Sequence, residues 1–146
     1  MDGTLISASC TTGWFDWVHG ELWLCSDGLL QRSLGLEESK RHGKEIRKQR
    51  KLTTLDRASR PTKAFTAAEI VAIVASDRRN RWIAWDDIAQ ATLKRGIVDH
   101  SLHFRLRSGG RAKFLWLKAD GGYDLLEESL GRFLPDRFKT IARRIG

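Results

Sequence analysis

Leu102, Phe104 and Leu106 alternate with His103, Arg105 and Arg107, and this is the feature that most limits what the chain can become. A period of two puts one set of side chains in a core and leaves the other wet and basic, as in a half-buried strand. Ser108-Gly109-Gly110 follows, where glycine supplies the positive φ angles of a tight hairpin turn. The chain re-enters a strand over Ala112–Lys118, with Phe114 and Trp116 on one face and Leu115 and Leu117 on the other. Both faces of that strand are apolar, so the second one needs a cover. A helix over Tyr123–Leu134 is the expected cover, because Tyr123, Leu126, Leu130, Phe133 and Leu134 recur at helical spacing. Asp120 and Asp124 favour its N-terminal end, Glu128 and Arg132 stand four apart, and Pro135 stops it. Upstream, Arg81–Trp85 leads into a strand over Ile88–Leu93, which completes a three-stranded unit ahead of the helix.

Earlier in the chain, Glu21–Cys25 and Leu29–Leu34 read as strands joined by the turn Ser26-Asp27-Gly28. Leu22 and Leu24 lie opposite Trp23 and Cys25. Trp14, Phe15 and Trp17 precede this hairpin, as packing aromatics or as a stacking platform for bases. From Glu37 to Lys63 the character changes to an insertion rich in cations. Lys40, Arg41, Lys44, Arg47, Lys48, Arg50 and Lys51 crowd together, relieved nearby by Glu38 and Glu45, and Ile46, Leu52 and Leu55 form no stripe. Such an arm neutralises phosphates or is a solvated loop. Pro61 closes it. Thr66 and Glu69 then have capping-box spacing, which predicts a short helix to about Ala75, packed on the body through Ile70, Val71, Ile73 and Val74. Phe138, Ile141 and Ile145, beside Arg137, Lys139, Arg143 and Arg144, predict a terminal basic amphipathic helix.

With 146 residues the chain is expected to form one domain over 1–146, built on its own core. Two cysteines, Cys10 and Cys25, are too few for a disulfide framework, and Met1–Cys10 has no basic-then-apolar leader, so a cytoplasmic setting is expected. A net charge of +8 favours anionic partners, without choosing among an acidic protein surface, nucleic acid and an anionic membrane surface.

Chemistry finds little footing. His100 and His103 are an odd number of residues apart on a strand and project to opposite faces, so no metal site is expected. Asp86 and Asp87 are adjacent in a bend, where neighbours face apart, and Asp86 is expected to cap that bend. Gly109-Gly110 and Gly121-Gly122 lack the strand-loop-helix context of a phosphate loop. No catalytic residue and no cofactor are assigned.

The order of elements resembles the bacterial pleckstrin-homology-like (PH-like, GRAM-like) group. The resemblance rests on Gly20-Glu-Leu-Trp-Leu24 with its Asp27-Gly28 turn, Trp82-Ile-Ala-Trp-Asp-Asp-Ile88, the glycine turn, Phe114-Leu-Trp116 and the following amphipathic helix. It spans about Gly20–Leu134, without the basic insertion and the Thr66 helix. It implies an α+β fold: a small, bent antiparallel β-sheet or barrel capped by the Tyr123–Leu134 helix, with one short inserted helix. It also implies a binding scaffold, for phosphoinositides in some members and for peptides or proteins in others. Two departures stand out: the Ser26–Gly28 turn has only Arg32 nearby where lipid-binding members cluster cations, and the closing helix has no tryptophan. The expected function is therefore a non-enzymatic interaction module for an acidic protein or another anionic partner, using Arg105, Arg107, Arg111 and Lys113 with the arm from Lys40 to Lys51. A nucleic-acid-binding protein and a peripheral lipid binder are the alternatives.

Overall fold

A computed structural model describes residues 1–11, 19–34 and 60–142. The Trp14, Phe15 and Trp17 cluster, the arm cations Lys40, Arg41, Lys44, Arg47, Lys48, Arg50 and Lys51, and the terminal Arg143, Arg144 and Ile145 lie outside the described residues. The fold is α+β. Strands β1 (Asp2–Cys10), β2 (His19–Cys25), β3 (Gly28–Leu34) and β4 (Thr62–Ala64) precede helix α1 (Ala67–Ser76). Then come β5 (Arg81–Ala84), β6 (Ile88–Arg95), β7 (Asp99–Leu106), β8 (Arg111–Leu117), helix α2 (Tyr123–Phe133) and β9 (Phe138–Ala142). They form a five-stranded sheet in the order β4-β1-β2-β3-β5 and a four-stranded sheet in the order β8-β7-β6-β9. The sheets meet where Thr11 pairs with Leu115 and where the 3-10 turn Trp85–Asp87 carries the chain from β5 to β6, but they do not close into a barrel.

Alternation decides which side chains are shared between the sheets. Leu22, Leu24 and Leu29 of the first sheet join Leu102, Phe104, Phe114 and Trp116 of the second in the main core, which α2 completes with Tyr123, Leu126 and Leu130. The opposite face of the first sheet, through Leu5, Trp23 and Leu30, meets Phe65 and Ile70 in a second cluster beneath α1. Thr66 caps α1 as its spacing predicts: its hydroxyl accepts from the Glu69 N–H at 3.1 Å and donates to Glu69 Oε1 at 3.2 Å. The far end of α1 is held by Asn80, whose amide donates to the Ile73 carbonyl at 2.7 Å and accepts from the Ser33 N–H at 2.6 Å.

Several expectations are corrected. The segment after Pro135 is a strand and not a helix: β9 adds to β6 in parallel, so the second sheet is mixed rather than antiparallel. A free edge on β6 gives the segment a ladder partner, and Phe138 then packs on the core through strand alternation. Asp2–Cys10, unassigned from sequence, is a strand that pairs with both β2 and β4. Helix α2 does not cover the Leu115–Leu117 face; it packs on the Phe114–Trp116 side, and Leu117 stays 37% exposed. At the Trp85–Asp87 turn no side chain caps, and Asp86 is exposed. Asp87 makes the contacts instead, its carbonyl accepting from the Arg107 N–H at 2.7 Å and its carboxylate from the Ser108 hydroxyl at 3.4 Å.

Candidate functional site

The outward face of the four-stranded sheet assembles from the alternate positions that the core does not use. In β7 these are His103 and Arg105, which pair across the ladder with Lys113 and Arg111 of β8. On the other side His103 pairs with Thr92 of β6, and Lys94 of β6 with Ser101. Beyond β6, Thr92 pairs with Lys139 and Lys94 with Ile141 of β9. Lys94, Arg105, Arg111, Lys113 and Lys139 are therefore five exposed cations in neighbouring rows of one sheet face. None of them makes an ion pair among the described residues, where the pairs are Arg32–Glu21, Arg79–Asp77 and Arg95–Asp124.

The structure brings together three of the four hairpin cations expected from sequence: Arg105, Arg111 and Lys113. Arg107 lies one residue past β7, in the turn, exposed. Lys94, His103 and Lys139 were not expected. Lys94 has the outward parity of Thr92 in β6, a signal within reach of the sequence, whereas Lys139 depends on β9 being a strand.

The field of these cations acts on His103. Partial burial comes first, then the charges of Lys113, Lys94 and Arg111, and together they hold its pKa below the ordinary 6.5. Above it the face forms a recess of about 310 Å³, bounded by Lys94, Ser101, His103 and Lys113, by Ile97 and Val98 of the β6–β7 turn, and by one carboxylate, that of Asp99, which makes no ion pair among the described residues. Ile97 and Val98 are 57% and 65% exposed.

His100, three residues from His103, points the opposite way into the core, 5.9 Å from the Trp116 ring and 5.0 Å from the Tyr123 ring. Its Nδ1 accepts from the Gly96 N–H at 3.3 Å, which requires an unprotonated nitrogen. Burial, then the charges of Arg95 and Lys118, lower its pKa as well. Both imidazoles are thus weaker bases in the folded chain than in the unfolded one, so the unfolded state takes up protons first as pH falls. Their contribution to stability is complete above about pH 6.5 and is lost on acidification toward the lowered folded values. The melting temperature is expected to hold near neutrality and to fall below about pH 6.5. His100→Asn, whose amide oxygen replaces Nδ1 as acceptor without titrating, should flatten that fall. An undiminished slope in the variant would remove His100 as its source.

Elsewhere the chemistry is quiet. The His100 and His103 rings face opposite sides of the sheet, and among the described residues no three His, Cys, Asp or Glu side chains converge on a metal position. Cys10 and Cys25 are free and buried. Burial pushes both thiols up, Cys25 to about 11, which keeps them protonated and poor nucleophiles. No described helix is long and apolar enough to cross a membrane. No protein-family model matches the chain, and a search of curated proteins finds no relative.

Proposed function

We propose that this chain is a non-enzymatic interaction module of the pleckstrin-homology-like kind, holding an anionic partner, in the first instance an acidic protein surface, on the outer face of its four-stranded sheet. One observation carries the reading: five exposed cations share that face, and no described acidic side chain pairs with them. Arg105 sits directly across the ladder from Arg111, an arrangement that destabilises a sheet unless something anionic lies over it. The pleckstrin-like assignment is supported by the β2–β3 hairpin, the corner at Trp85, the β6-β7-β8 meander and the helix that follows. A cytoplasmic setting goes with this reading.

A second reading, an anionic lipid surface, is favoured by Ile97 and Val98, which stand exposed beside Lys94 and Lys113 as apolar anchors beside cations. Nucleic acid is less favoured here, because, of the described tryptophans, Trp23, Trp85 and Trp116 are buried, Trp82 is half-buried on β5 of the other sheet, and none lies on the basic face to stack on a base.

The test compares wild type with the Lys94→Glu, Lys113→Glu double variant against three probes: poly-L-glutamate, a mixed-sequence DNA duplex and phosphatidylserine vesicles. Wild-type binding to polyglutamate should weaken steeply with salt, and the variant should bind about 30-fold more weakly, or worse, with its melting temperature unchanged. Binding should also strengthen on acidification, as a bound anion offsets the cations that lower the His103 pKa and draws a proton onto it. Equal affinity of variant and wild type would sink the proposal. Vesicle binding without polyglutamate binding would give the face to lipid.

A further inference from the structure

Helix α1 is built unlike a surface helix. Glu69 is the single charged residue among its ten, yet only Ile70 is buried. Ala67, Ala68, Val71, Ala72 and Ala75 are all exposed, Val71 by 68%. A helix that is apolar on every side belongs inside a protein or against a partner, and an open apolar patch of this kind marks a contact surface.

Beside the helix runs a groove of about 460 Å³, walled by Ile70 and Val71 on one side and by Trp82, Ala84 and Trp85 on the other. The charged side chains lining it are both acidic, Asp27 and Asp86, and both are exposed with no ion pair among the described residues. The wall opposite α1 is β5, an edge of the five-stranded sheet. Its inward bonding phase is set by the Trp85 N–H, which donates to the Asp27 carbonyl at 3.1 Å, so the antiparallel alternation turns the main-chain groups of Trp82 and Ala84 toward the open edge. An apolar floor, a strand edge unpaired among the described residues and two carboxylates coincide at one place, on the five-stranded sheet rather than on the basic face described above.

We infer that this groove docks an extended segment of a partner protein, one that adds a strand to β5, buries an apolar side chain between Val71 and Trp82, and places a lysine or arginine next to Asp27 and Asp86. Main-chain pairing supplies the grip, the pocket and the two carboxylates supply the selection. The two carboxylates decide the occupant, favouring a basic segment over an acidic one; the Met1 ammonium, which also lines the groove, is engaged with the Phe65 carbonyl at 2.8 Å.

The experiment uses the full chain, isotope-labelled for amide NMR, with two pools of synthetic nonapeptides that share a central leucine and differ two positions later, arginine in one and glutamate in the other. The arginine pool is expected to shift the amides of Val71, Trp82 and Ala84 and the Trp85 indole, and to bind about tenfold tighter than the glutamate pool. Asp27→Lys with Asp86→Lys should reverse that preference. Val71→Glu, at an exposed site, should abolish binding of both pools with the rest of the spectrum preserved. No shift at these positions at about 1 mM peptide overturns the proposal, as does a preference that survives the two lysines. Shifts that grow with protein concentration in the absence of peptide give the face to a second copy of the chain and overturn it too, as do shifts produced by vesicles alone.

Discussion

Replacing Trp116 with alanine is expected to lower the unfolding free energy by about 4 kcal/mol, among the largest effects any single substitution here should have. The indole is 1% exposed in the main core, where it adjoins His100, and its N–H donates to the Gly121 carbonyl at 3.0 Å. Two losses therefore combine: a cavity the size of an indole, and a carbonyl left without its donor. The carbonyl belongs to a special place, since Gly121 and Gly122 both adopt positive φ, 69° and 85°, to turn the chain into α2. Trp116→Phe separates the two losses. It keeps most of the apolar volume and should cost about 1.5 kcal/mol, chiefly the hydrogen bond. Urea denaturation with an unchanged m value is the measurement. A loss below about 1 kcal/mol for the alanine variant would mean that the contact between α2 and the second sheet does not rest on this ring.

The second large effect is expected at Gly96, in the β6–β7 turn that carries Ile97 and Val98. A Cβ placed there falls 1.8 Å from the Asp99 carbonyl oxygen, main chain that cannot rotate aside. Gly96→Ala should therefore push the turn open at a cost of about 3 kcal/mol, and it should weaken the Gly96–His100 hydrogen bond with it. Gly109→Ala is the control of the opposite kind. Nothing lies within 4 Å of that position, so its cost comes from φ of +90° alone and should stay near about 1 kcal/mol. If Gly96→Ala melted no lower than Gly109→Ala, the close approach in the β6–β7 turn would be wrong. The change should also displace the Ile97–Val98 tip, so vesicle binding, if this face has it, should drop with the same substitution.

Where local chemistry alone fixes a conformation, the sequence was readable. Leu102, Phe104 and Leu106 announce β7 by alternation, Gly109 and Gly110 announce the turn by needing positive φ, and Thr66 with Glu69 announces the start of α1. Where a distant partner fixes it, the sequence misleads. Phe138 and Ile141 have helical spacing, yet the open edge of β6 draws them into a strand. In β1 neighbours serve different cores, Leu5 the cluster under α1 and Ile6 the main one, so no single apolar stripe signals it. The same division runs through the candidate site. Arg105, Arg111 and Lys113 could be placed on one face from the hairpin alone, but Lys139 reaches it only through a parallel ladder, which no local pattern encodes.

The pairing of Thr11 with Leu115 bears on how the molecule comes into being on the ribosome. β1 is made before the other described strands, and β2 soon gives it one neighbour, but the Thr11–Leu115 bridge just past its end must wait for roughly one hundred further residues to be made. Arg60 adds to the delay, because its guanidinium joins the Leu5 and Ile6 carbonyls to the Asp120 carbonyl. Two segments far apart in the chain thus meet late, like the halves of a clasp. Leu5 can pack under α1 before β8 is made, but Ile6, which belongs to the main core, lacks its partners Phe114 and Trp116 until then.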